Sequence, residues 1–176
     1  MKAKFLILVI LLISTFAFGQ PPVAKKDSLD YYKFQAEAQF DMVGDYATAI
    51  KWMNKAVRLD PMDDELYLQR AFAKGAIYDF RGQEADYSKV IALDAGNMAA
   101  YTGRAASRFI LKKYRESISD YDWLIDADPS YYGFFLSRGM CKWELKDKIG
   151  ACNDYRQAAQ MGSAIAYVLG MDNCLE

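Results

Sequence analysis

From about residue 28 onward the chain alternates between apolar-periodic stretches of about 12–14 residues and short polar turns such as Gly44-Asp45. Apolar positions recurring every three to four residues predict amphipathic helices separated by tight turns. A different pattern lies ahead of them. Lys2 and Lys4 precede an unbroken apolar run from Phe5 to Ile13, followed by Ser14 to Phe18, with small residues at Ala17 and Gly19. A positive start, a short apolar run and small residues three and one before Gln20 predict a secretory signal over 1–19. An uncleaved membrane anchor is the rival. The 14 residues from Phe5 to Phe18 fall short of the roughly 20 a span needs. No cysteine follows the run directly, which disfavours a lipid-anchored form. Residues 20–27 then read as a linker, because Pro21 and Pro22 disfavour helix. Asp27 or Ser28 is placed to cap the first helix.

The helical region repeats itself with a period of 34 residues, and such a period decides the architecture. Tyr67, Arg70 and Ala71 recur as Tyr101, Arg104 and Ala105, and again as Phe135, Arg138 and Gly139. Asp86-Tyr87, Asp120-Tyr121 and Asp154-Tyr155 keep the same spacing, as do Leu59-Asp60, Leu93-Asp94 and Ala127-Asp128. Counting from Asp30 gives four units, 30–63, 64–97, 98–131 and 132–165. One helix pair cannot bury both of its faces, so the pairs must stack into a continuous core. Ala49, Ala56, Ala71, Ala105, Gly139, Ala151 and Ala158 are the small residues that permit close approach. Ser163 is placed to cap a last helix, Ala164 to Leu169, lying over the fourth unit.

This pattern resembles the tetratricopeptide repeat (TPR) family, which has small residues at positions 8, 20 and 27, large ones at 4, 11, 17 and 24, and proline at 32. The second half of the first unit, from Gly44 through Tyr46, Ala49, Met53 and Ala56 to Pro61, carries the likeness most fully. The third unit carries it through Tyr101, Ala105, Tyr114, Ser117, Tyr121 and Pro129. The resemblance covers about 28–174 and implies an all-α fold. It implies a right-handed superhelix of four helix-turn-helix repeats closed by a C-terminal capping helix over 163–174. There are departures. Glu37 stands at position 8 of the first unit and Gln83 at position 20 of the second. Lys74, Arg108 and Lys142 occupy position 11, where an aromatic is usual.

Arg70, Arg104 and Arg138 hold position 7, and Asp86, Asp120 and Asp154 hold position 23 of the same units. The first unit lacks both at once, with Ala36 and Trp52 in their places. Because an unpaired buried charge is costly, partners that vanish together predict an ion pair inside each repeat. An arginine ladder for anions is the functional rival. In TPR domains that bind peptides, positions 2, 5, 9, 12 and 13 line the groove. The resemblance therefore nominates Tyr31, Phe34, Met42, Leu68, Phe72, Phe109, Ile110, Leu136, Met140 and Trp143 as partner-binding residues. The set is apolar, suited to a partner helix or an extended segment. It lacks the Lys, Arg and Asn with which some relatives clamp a C-terminal carboxylate. The alternative is that several of these side chains pack internally.

Composition narrows the chemistry. The chain has no histidine, which removes His-based acid–base catalysis, Ser-His-Asp and Cys-His nucleophiles and His-ligated metals. With 22 basic and 23 acidic residues there is no excess to neutralise a phosphate backbone, so nucleic acid is not an expected partner. No glycine-rich phosphate loop or Cys-x-x-Cys occurs, and neither a metal nor another cofactor is expected. Three cysteines remain, Cys141, Cys152 and Cys174. Hairpin symmetry permits either Cys152–Cys174 or Cys141–Cys152, and sequence alone does not fix connectivity. Resemblance favours Cys152–Cys174, because exported bacterial TPR proteins often end in a Gly-Ala-Cys segment and a later cysteine. The expected function is an exported protein-interaction scaffold, periplasmic or extracellular, and not an enzyme. A self-assembling structural subunit of a cell-envelope complex is the alternative.

Overall fold

The computed structural model describes residues 25–174, apart from the side chains at 25–27, 41–43 and 171–173. The expected signal segment 1–19 and the side chain of Met42 lie outside the described residues. Helix α1 spans Lys25–Glu37 and runs into a π-helical turn over Ala38–Val43. It is followed by α2 (Tyr46–Leu59), α3 (Asp64–Ala76), α4 (Phe80–Leu93), α5 (Met98–Ile110) and α6 (Tyr114–Ala127). The chain continues with α7 (Tyr132–Glu144), α8 (Lys148–Gln160) and α9 (Ala164–Asn173). Each of these helices packs on its neighbours in sequence, giving four pairs in single file with α9 laid on α8.

Local chemistry sets the boundaries. The side chains of Asp45, Asp63, Asp79, Asn97, Asp147 and Ser163 accept hydrogen bonds from backbone N–H groups three residues on, capping α2, α3, α4, α5, α8 and α9. Position 15 of every unit turns through the left-handed region: φ is 69° at Gly44, 63° at Tyr78, 60° at Lys112 and 67° at Lys146. Only the first unit supplies the glycine that adopts this conformation freely. One helix limit differs from expectation: helix α1 already starts at Lys25, so Asp27 and Ser28 lie inside it and do not cap it. Helix α9 passes through Gly170 to Asn173, within the 163–174 expected of the capping helix.

The π turn corrects the register of the first unit. A π turn accommodates one extra residue, so residues ahead of it sit one place later than the 34-residue count assigns. Ala36, at 1% exposure, takes the buried place that Ala71 and Ala105 hold in later units, while Glu37 points to solvent. The apparent misfit of Glu37 at a small-residue position is thereby resolved. Ala36 clusters with Ala49, Met53 and Ala73, and the next unit's core gathers Ala56, Leu66, Tyr67, Ala71, Tyr87 and Val90. A third cluster joins Ala105, Tyr121, Leu124, Phe134 and Cys141. At Gly139 a Cβ would come within 2.7 Å of the Tyr155 ring, so this crossing requires the smallest residue.

Candidate partner-binding groove

The groove is held in shape by a repeated charge cluster. Arg70 donates to both carboxylate oxygens of Asp86 at 2.8 and 2.6 Å, Arg104 to Asp120 at 3.1 and 2.6 Å, and Arg138 to Asp154 at 3.0 and 2.7 Å. Each buried carboxylate takes a second cation from position 11: Lys74 at 2.7 Å, Arg108 at 2.7 Å and Lys142 at 2.8 Å. The cations that depart from the family pattern at position 11 therefore complete the ion pairs. The same arginines also reach back to position 25 of the preceding unit. Arg70 bonds Asn54 at 2.8 Å, Arg104 bonds Ser88 at 3.4 Å and Arg138 bonds Asp122 at 2.6 Å. One guanidinium thus fastens a helix to its own partner and to the unit before it, using the planar fork that lysine lacks. Burial alone pulls the Arg138 pKa down, but its bonds to Asp154 and Asp122 outweigh this and hold it above the ordinary value. With every fork engaged by a carboxylate, the ladder is bracing and not a free anion site.

An apolar groove opens between α5 and α7. Ala106, Phe109 and Ile110 line it from one side, Ser137 and Met140 from the other, and Tyr121 closes its floor, enclosing about 220 Å³. Ile110 and Met140 are 51% and 41% exposed, whereas the rim residue Phe109 packs edge-on against Tyr114 with ring centroids 5.5 Å apart. Burial pushes the Tyr121 phenol up to about 12, a shift partly opposed by its hydrogen bond with Ser137. The phenol therefore stays neutral and polar at any ordinary pH. Three nominated residues, Phe109, Ile110 and Met140, meet in this groove, together with Tyr121 and Ser137, which sequence reasoning did not single out. Tyr121 stands in the repeating Asp-Tyr pair, a place that reads as pure core.

The other nominated residues lie elsewhere along the chain. Phe72 stands exposed on α3, Leu68 packs half-buried on the core beside Tyr67 and Ala71, and Leu136 is half-buried on α7. Trp143 is half-covered, with the Lys148 ammonium 5.8 Å from its ring centre. The π-turn shift moves Tyr31 and Phe34 off the groove line. They fall at the places held in later units by Leu66, Ala100 and Phe134, and by Gly103 and Ser137, which face the preceding unit. With no unit before them among the described residues, both remain exposed. Lys33 moves toward the groove face instead, and its ammonium is bonded to Asp63.

At the other end, Cys152 and Cys174 form a disulfide with Cα atoms 5.7 Å apart, and Cys141 is a buried free thiol. Burial raises the Cys141 pKa, partly opposed by its hydrogen bond to Ser117 at 3.3 Å. Among the described residues, no three Cys, Asp or Glu side chains converge to hold a metal ion, and no helix is long and apolar enough to cross a membrane.

No family model and no curated relative matches the chain. Solved structures do. A crystal structure of the MamA protein superposes with a TM-score of 0.74 at 18% identity, over 81% of this chain and 78% of that one. A tetratricopeptide repeat protein from Parabacteroides merdae gives 0.73 at 17% identity, over 80% of this chain and 57% of that longer one. The first TPR domain of Spaghetti (RPAP3), solved with a bound peptide, gives 0.60 at 26% identity, over 68% and 94%. The fold is that of the TPR solenoids. The 34-residue units are its repeats, and α9 lies on α8 at the place that the first helix of a further repeat would take.

Proposed function

We propose that the chain is an exported protein-interaction scaffold that seats apolar side chains of a partner helix or extended segment in the groove between α5 and α7. The observation that carries this reading is the open 220 Å³ groove, where exposed Ile110 and Met140 flank a neutral phenol. Apolar surface left bare in a groove with a few polar atoms at its floor suits side-chain capture. Relatives of the fold supply precedent: the two TPR domains of RPAP3 were solved with an HSP90 peptide ending in EEVD and an HSP70 peptide ending in EEVD. Here the groove offers no cation, so an apolar segment is the expected ligand and an acidic C-terminus is not. The segment 1–19, with its basic start and short apolar run, supports export to the periplasm or beyond.

The groove is tested by replacing Ile110→Glu and Met140→Glu together. Both side chains are exposed, so helicity and melting should be retained. Proteins crosslinked to the wild-type chain in cell-envelope extract should be lost with the double variant. Retention of the same set would place the binding surface elsewhere.

A further inference from the structure

Among the described residues, helix α9 lacks the following helix that the first helix of each complete repeat has beside it. Counting from the caps Asp63, Asn97, Tyr131 and Ser163 places Ala166 level with Leu66, Ala100 and Phe134, and all four are buried. Tyr167 then stands level with Tyr67, Tyr101 and Phe135. In the complete repeats this aromatic is covered from its own second helix, as when Tyr101 stacks on Trp123 with ring centroids 3.8 Å apart. It is also overlaid by its repeat's arginine, with Arg70 over Tyr67, Arg104 over Tyr101 and Arg138 over Phe135. Among the described residues Tyr167 has no second helix beside it, and it is 60% exposed, with Ile165 and Val168 bare nearby. Gly170 replaces the arginine, and a hollow of about 280 Å³ lies at that place, lined by Cys152, Arg156, Ala159, Ala166, Tyr167, Gly170 and Cys174.

We propose that this open half-repeat is the seam of a homodimer, closed by α9 of a second copy. Three features point to a copy of the same chain. A two-fold axis across α9 brings the second α9 in antiparallel, the direction that each repeat's second helix takes against its first. Residues 164–170 carry no charge, so this stretch of α9 meets itself without repulsion; Asp172, near the far end of the helix, is its one charged residue. The surface also holds an exposed aromatic, Tyr167, at the edge of a hollow whose lining includes Arg156. A knob beside a hole is the self-complementary arrangement that an isologous two-fold contact needs, and arginine on an aromatic face repeats the stacking of the inner repeats. The disulfide to α8 holds α9 in place beforehand, which lowers the ordering cost of association.

The test uses the chain from Gln20 onward, which retains every described residue, in sedimentation equilibrium. The wild type should show a concentration-dependent dimer. Tyr167→Glu should raise its dissociation constant roughly thirtyfold or more, the loss expected at a central aromatic contact, with an unchanged circular dichroism spectrum. As a second readout, Val168→Cys should form a dimer on a non-reducing gel after mild oxidation. A monomer at every concentration, or a dimer that Tyr167→Glu leaves intact, would overturn the proposal. So would a dimer broken instead by the Ile110→Glu, Met140→Glu pair, since that outcome assigns self-association to the groove.

Discussion

Arg138 offers a direct comparison between two carboxylates on one guanidinium. Asp122 lies closer, at 2.6 Å, but its side chain is 53% exposed; Asp154 binds bidentately at 3.0 and 2.7 Å and its side chain is 5% exposed. If distance governed the energetics, removing Asp122 would be at least as harmful. If desolvation governs, the order is reversed. Asp154→Ala strands Arg138 and Lys142, at 18% and 21% side-chain exposure, around a site with no buried anion. Breaking a buried pair from one side costs about 3–5 kcal/mol; Arg138 retains Asp122, which sets the expectation near the lower figure. Asp122→Ala removes a solvated, screened contact and should cost under about 1 kcal/mol. For a chain of this size these losses correspond to melting shifts of roughly 6–12 °C for Asp154→Ala and at most roughly 4 °C for Asp122→Ala. Urea titrations and thermal melts followed by far-ultraviolet circular dichroism measure both. Raising salt to about 1 M should reduce the Asp122 effect and leave the Asp154 effect nearly intact. Replacing all three residues of the buried cluster, Arg138→Met, Lys142→Leu and Asp154→Leu, should recover most of the loss. Equal losses for the two single variants, or a loss below about 1 kcal/mol for Asp154→Ala, would refute the account.

Lys112 and Lys146 hold left-handed backbone at exposed turns, so Lys112→Gly and Lys146→Gly should each stabilise by about 0.5–1 kcal/mol in the same melts. Ellman's reagent should find no reactive thiol in the native chain and one, Cys141, after unfolding without reductant, with the other two appearing only after reduction. At Gly103 a Cβ would approach the Tyr87 ring to 2.2 Å; Gly103→Ala should therefore destabilise by about 1–3 kcal/mol through overpacking.

The repeat architecture was legible because it is written in identical spacings. Arg70, Arg104 and Arg138 lie 34 residues apart and their acidic partners follow at the same interval, so the eye finds pairs before any contact is known. The second cation on each carboxylate was visible as a letter and hidden as a role. Lys74, Arg108 and Lys142 were seen to depart from the family pattern, but only the fold shows that positions 7 and 11, one helical turn apart, converge on one aspartate. The π turn at Ala38–Val43 was not legible at all. It inserts one residue without a glycine, a proline or a break in apolar rhythm, and its trace in the sequence was a single misplaced glutamate with an alanine just before it. That one-residue slip is why Tyr31 and Phe34 were assigned to the groove. The groove's floor was missed for another reason: Tyr121 is core on one edge and binding surface on the other, and a one-dimensional pattern gives each residue a single face.

Glu84 and Arg108 join position 21 of one repeat to position 11 of the next by an ion pair at 3.1 Å. Cys152 stands at position 21, and Cys174, counted from the cap Ser163, at position 11, so at the last junction a covalent bond stands where the earlier one has an ion pair. The two differ in when they can form. An ion pair closes as soon as its helices meet, whereas the bridge must wait for an oxidant. The Glu84–Arg108 junction therefore needs no oxidant to close, whereas the bridge to the last helix forms only where thiols are oxidised. The end of the solenoid is thus held by a bond whose strength depends on the redox state of its surroundings.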